Sequence, residues 1–213
     1  MVVHAKVHIG KNFQKIIQSG NYEKLIRKIL NESTRLLPNK FKHNEVQPTG
    51  ECDFIDLQTG EKYDVKLLLT QEQGKMIGSR NANFEVWVQS MLDECAEFGK
   101  IFGPERDQRT VVGLALYKLF EKNMHRIQPD ENAILFSPFP IVYESTVSFY
   151  GQFGFDILSA IFEELLHNDV IGKKHIYVIY PSIDHKIVLR NLATGVREFF
   201  SAKDLDAYIW YEI

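Results

Sequence analysis

Glu51-Cys-Asp53-Phe-Ile-Asp56-Leu-Gln-Thr-Gly60-Glu-Lys-Tyr-Asp64-Val-Lys66-Leu-Leu-Leu69 is the stretch on which the reading of this chain turns. Residues 51–57 alternate polar with apolar, Thr59-Gly60 is a turn signal, and residues 61–69 resume a strand pattern that ends in three leucines. The spacing predicts a β-hairpin. Side chains alternate across a strand, so Asp64 and Lys66 share one face while Tyr63, Val65 and Leu67 share the other. An even-numbered loop puts Asp53 on the face of Asp64 and Lys66. With a two-residue Thr59-Gly60 turn, Asp53 stands opposite Lys66 and Ile55 opposite Asp64; an odd loop would throw Asp53 to the other side.

Val65 and Leu67 to Leu69 predict a strand buried on both faces, within a sheet covered by helices. Charged groups at such positions need a physical reason, and a shared cation is one. Two carboxylates one strand spacing apart repel when both are ionised. A divalent metal relieves that repulsion and takes its remaining ligands from water and a substrate phosphate. The competing reading is a solvated hairpin face on which Lys66 pairs with Asp53 or Asp64.

An aspartate at the end of one strand followed by an acidic-x-lysine triplet in the next, here Asp53 and Asp64-Val65-Lys66, resembles the PD-(D/E)XK nuclease superfamily. The match departs from that pattern before Asp53, where Cys52 stands and the nearest proline is Pro48. The resemblance covers about residues 20–100. It implies a restriction-endonuclease-like α/β fold: a central mixed sheet with an antiparallel hairpin, flanked by helices on both faces. It also implies a metal-dependent hydrolase of DNA phosphodiester bonds using Mg²⁺, with Mn²⁺ as a substitute. The metal ligands would be Asp53, Asp64, the Val65 carbonyl and a glutamate on the preceding helix, with Lys66 positioning or activating the attacking water. Glu32 is the choice for that glutamate, with Glu23 and Glu51 behind it. Many enzymes of the superfamily are dimers, so a homodimer, or a subunit of a larger nucleic-acid-processing assembly, belongs to the same expectation.

Outward from the hairpin, residues 13–37 have helical spacing with a break at Ser19-Gly20-Asn21, and Tyr22, Leu25, Ile26, Ile29, Leu30, Ser33, Leu36 and Leu37 form one stripe. After the hairpin, residues 71–83 form a polar, glycine-punctuated loop in which Gln71, Lys75, Ser79 and Arg80 are candidate contacts to nucleic acid. Phe84 to Cys95 and Thr110 to Met124 read as helices. Then come a strand at 133–136, a helix at 155–167, strands at 176–180, 186–191 and 195–200, and a turn at 191–195. Residues 4–8 suggest a short leading strand, and residues 204–213 are too aromatic to assign. We expect a single domain over residues 1–213, with residues 132–213 completing the sheet or forming a subdomain. The linker-like Gln128-Pro-Asp-Glu-Asn is the one stretch suited to a division.

The chain has 213 residues, 45% hydrophobic and 25% charged, with a net charge of −3, two cysteines and seven histidines. That composition is globular. The acidic balance argues against nonspecific polyanion binding by a basic surface, and leaves room for a nuclease with local basic contacts. No membrane-length apolar run occurs, and two cysteines do not make a disulfide framework, so a cytoplasmic location is the default. Neither HExxH, CxxC, GxSxG nor a phosphate-binding glycine loop is present. Two further classes stay open: a nuclease-like scaffold that no longer cleaves and serves in binding or assembly, and an α/β protein of unrelated function whose hairpin charges are accidental.

Overall fold

A computed structural model describes residues 6–9, 22–44, 52–69, 117–137, 157–181, 186–201 and 209–212. Among them, β1 (Lys6–Ile9) pairs antiparallel with β9 (Ile209–Glu212), so strands near the two ends of the chain form a separate ribbon. The other strands build one mixed seven-stranded sheet in the order β2 (Phe41–His43), β3 (Phe54–Asp56), β4 (Lys62–Leu67), β5 (Glu131–Phe136), β6 (Ile176–Pro181), β7 (Lys186–Asn191) and β8 (Arg197–Ser201). The three central strands run parallel, and every other pairing is antiparallel. The expected α/β class with a mixed sheet and antiparallel hairpin is thus observed. The strand β7 has the predicted bounds, and residues 204–213, unassigned from sequence, supply β9.

Residues 133–136 of β5 and 176–180 of β6 are apolar on both faces, and their alternation separates two cores. Ile134 and Phe136 of β5, Tyr177 and Ile179 of β6, and Tyr63 and Val65 of β4 pack with α1 (Tyr22–Glu32) through Leu25, Ile26, Ile29 and Leu30. Ala133, Leu135, Ile176, Val178 and Tyr180 instead join Phe120 and Met124 of α2 (helical over residues 117–124) and Leu158, Ile161 and Leu165 of α3 (Ile157–His167). The linker-like stretch before Asn132 leads from α2 into β5, a strand inside the same sheet. Among the described residues no helix is long and apolar enough to cross a membrane.

The hairpin turn differs from the expected one. It has four residues, 57–60, because the buried Asp56 accepts the N–H groups of Gln58 at 2.7 Å and Thr59 at 3.1 Å, while Gly60 closes the turn at φ 75°. Asn39 donates to the other Asp56 oxygen at 2.7 Å. Burial opposes ionisation of Asp56, but these hydrogen bonds outweigh it and hold the carboxyl below its usual range. Replacing Asp56 by Ala should cost roughly 3 kcal/mol, read by denaturant unfolding at pH 7, since charge-assisted bonds to a buried turn are lost. A depressed folded pKa stabilises above the unfolded carboxyl range and loses that contribution as pH falls through it. The gap between wild type and variant should therefore close on acidification.

The first helix also ends earlier than the sequence stripe suggests. Its last helical residue is Glu32, and residues 33–37 turn instead around Glu198 of β8. That carboxylate accepts the Ser33 hydroxyl at 2.5 Å and the N–H groups of Thr34, Arg35 and Leu36 at 2.9–3.2 Å. Burial raises the Glu198 pKa, but this set of donors lowers it further than burial lifts it.

Candidate active site

The four-residue turn moves the register by two from the one expected, keeping its parity. Phe54 pairs with Tyr63 and Ile55 with Lys62, which puts Asp53 across from Asp64 rather than Lys66. All three groups stay on one side of the sheet, as the even-loop argument requires.

A local splitting of the sheet fixes Asp53. The strand β3 stays with β2 one step further, since the Asn44 N–H donates to the Asp53 carbonyl at 2.9 Å. It leaves β4 at the same point. In a continued ladder the Val65 N–H would donate to the Cys52 carbonyl; here it donates to Asp53 Oδ2 at 2.6 Å. The side chain of Asp53 thus stands in for the missing strand. This keeps a buried donor satisfied and orients the carboxylate toward β4.

Asp53 and Asp64 are 9% and 8% exposed, so both are largely withdrawn from water. Their carboxyl groups stand close enough for Asp53 to oppose ionisation of Asp64. Lys66 Nζ lies 2.5 Å from Asp64 Oδ2. Burial and then the bond to Asp53 raise the Asp64 pKa to about 6, against the opposing pull of the Lys66 ammonium. A raised folded pKa stabilises the fold fully at pH values below the unfolded pKa, and the contribution is lost as pH rises through 6. The stability of Asp64→Asn relative to wild type, in chelator, should therefore improve between pH 4 and 7.5 by on the order of 2 kcal/mol. Thermal melts across that range check the sign.

Glu32 sits on the last turn of α1, about half exposed, with Lys28 Nζ at 3.8 Å; the fold does not bring it to the aspartates. Glu23 lies on the first turn of the same helix, 3.0 Å from His43 Nε2. Glu51 and the proposed contacts Gln71, Lys75, Ser79 and Arg80 lie outside the described residues, as does the predicted helix from Phe84 to Cys95.

Three groups that sequence reasoning did not place in the site stand around it. Tyr22, read as a stripe residue, has its pKa raised by burial and then by Glu23, Asp53 and Asp64. Glu131, inside the linker-like stretch, is buried at the start of β5 on the same side of the sheet as Asp64, and with Asp53 it disfavours the Cys52 thiolate. Lys174 donates to the carbonyls of Ile127 and Gln128, while Glu131, Asp130 and Asp64 act on its ammonium. The parallel pairing of β4 with β5, which brings Glu131 to the side of the sheet that carries Asp64, has no trace in local sequence.

Among the described residues no group of three or more histidine, cysteine, aspartate or glutamate side chains is placed to hold a metal. The Asp53–Asp64 pair nonetheless suits Mg²⁺, which is commonly held by one or two carboxylates with water completing its shell. Two neighbouring buried carboxylates of like charge are the arrangement a cation can neutralise. Comparison of the chain with family models, with curated proteins and with solved structures finds no match.

Proposed function

We propose that this protein is a metal-dependent nuclease of restriction-endonuclease-like fold, its sheet covered by helices on both faces, that hydrolyses DNA phosphodiester bonds at Asp53, Asp64 and Lys66. The observation that carries this reading is the convergence of two buried carboxylates and a lysine at the point where β3 leaves β4. Asp53 and Asp64, with the Val65 carbonyl, would hold Mg²⁺ or Mn²⁺. Such an ion supplies charge neutralisation at the phosphoryl group and makes a bound water more acidic.

The chain's own contributions are orientation and charge. Asp53 is locked by the Val65 N–H, and Asp64 is held between Asp53 and Lys66. With those carboxylates holding a cation, the Lys66 ammonium, here the counter-charge of Asp64, would position the attacking water or stabilise the developing negative charge.

Two measurements test the reading. At pH 8, Mg²⁺ or Mn²⁺ should raise the melting temperature of wild type and leave Asp64→Asn unmoved, and the rise should shrink at pH 5, where protons hold the site. The same ions should support cleavage of plasmid, linear or single-stranded DNA. Absence of both effects would remove the nuclease reading, and metal binding without cleavage would favour a scaffold that has lost activity.

A further inference from the structure

Glu131 opens β5 and is only 5% exposed. The parallel register sets it beside Lys62 and sets Ala133 beside Asp64, so Glu131 shares the side of the sheet that carries Asp64 and Lys66. Adjacent strands lie about 4.8 Å apart and two residues advance about 6.6 Å, which puts the Glu131 backbone diagonally about 8 Å from that of Asp64. The residue of β5 next to Asp64 is an alanine, so no larger side chain of that strand stands between the two carboxylates.

The start of β5 is secured from both sides. Lys62 reaches Asp130 at 3.1 Å, Lys174 donates to the carbonyls of Ile127 and Gln128, and the Glu131 N–H closes the turn on the Gln128 carbonyl at 3.1 Å. Both lysines thus give their hydrogen bonds to the loop before the strand. Among the described residues the Glu131 carboxylate itself meets no hydrogen-bond donor and no ion-pair partner. A carboxylate so far withdrawn from water is costly unless something answers it.

Direct coordination by three acidic side chains is not set up among the described residues. A Mg²⁺ ion held by one or two carboxylates keeps several waters, and those waters need acceptors. We propose that Glu131 is the third acid of this site, accepting a hydrogen bond from a water carried by the cation that Asp53 and Asp64 hold. It is a positioning residue, taking from β5 the place that the sequence suggested for a glutamate of α1, and the assignment rests on the metal-dependent reading above.

Glu131→Gln keeps the shape and removes the charge. Mn²⁺ binding to the full chain at pH 8, read by electron paramagnetic resonance of the free ion, should weaken by about 10- to 100-fold, the range for an outer-shell partner of a metal site. Glu131→Asp keeps the charge on a shorter arm and should recover most of that loss, because a bridging water adapts to the reach. In chelator the melting temperature of Glu131→Gln should not fall, since the variant removes a buried charge that lacks a partner. Wild-type Mn²⁺ affinity in Glu131→Gln overturns the proposal while leaving the nuclease reading intact. A lowered melting temperature in chelator with Mn²⁺ affinity unchanged also overturns it, by assigning the carboxylate to the fold. A wild-type chain that binds no Mn²⁺ removes both.

Discussion

Lys66→Ala should reduce DNA cleavage by about 10²- to 10⁴-fold while leaving a folded protein, because a positioned cation at the reacting centre carries that much of a rate. The reasoning begins with the ion pair. Lys66 Nζ sits 2.5 Å from Asp64 Oδ2 and opposes the burial that pushes the Asp64 pKa to about 6. Removing the ammonium lifts that pKa further, so the variant should also need a higher pH to bind Mg²⁺. Lys66→Arg should restore the charge but place it as a wide planar fork, recovering metal binding better than turnover. A melting-temperature shift with Mg²⁺ at pH 6, 7 and 8, beside cleavage rates at each pH, separates the electrostatic part from the chemical part. Near-wild-type cleavage by Lys66→Ala would mean that the lysine belongs to the hairpin surface and not to the chemistry.

Phe136→Ala carries the largest expected cost to stability, about 3–5 kcal/mol, the range for emptying a large aromatic site in a packed core. Phe136 has no exposed surface and closes β5 against Leu67, beneath the ring of Tyr22. Leu189, equally buried on β7 in the same core, should cost about 2–5 kcal/mol as Leu189→Ala. Both variants should keep turnover while folded and lose it only as they unfold, because Phe136 and Leu189 lie on the face of the sheet opposite Asp64 and Lys66. Chemical denaturation with parallel rate measurements checks both.

What could be read from residues alone was what local alternation and helical spacing encode. The bounds of β7, the strand at 133–136, the helix ending at His167 and the common face of Asp53, Asp64 and Lys66 all come from periodicity within a dozen residues. What could not be read was set by distant partners. The turn begins at Asp56 in part because Asn39, 17 residues earlier, fills its second oxygen. The first helix stops at Glu32 where Glu198, more than 160 residues later, draws the next backbone donors into a tight turn. Glu32 is consequently stranded at the helix end remote from the aspartates, while Tyr22 and Glu23 mark the near end. Likewise β1 and β9 find each other across nearly the whole chain, and short aromatic stretches cannot announce such a partner.

The parallel seam between β4 and β5 has a consequence for biosynthesis. The strand bearing Asp64 and Lys66 is joined along its full length to residues 131–136, which leave the ribosome after a further sixty or so have been made. A nascent chain halted after the hairpin has its acidic pair and lysine but lacks the wall that excludes water from them. Closing so long a loop is slow, and the bare flank of β4 offers unpaired amides to other emerging chains in the interval. Competence therefore arrives late and all at once, and the hairpin cannot be transplanted as an independent cassette.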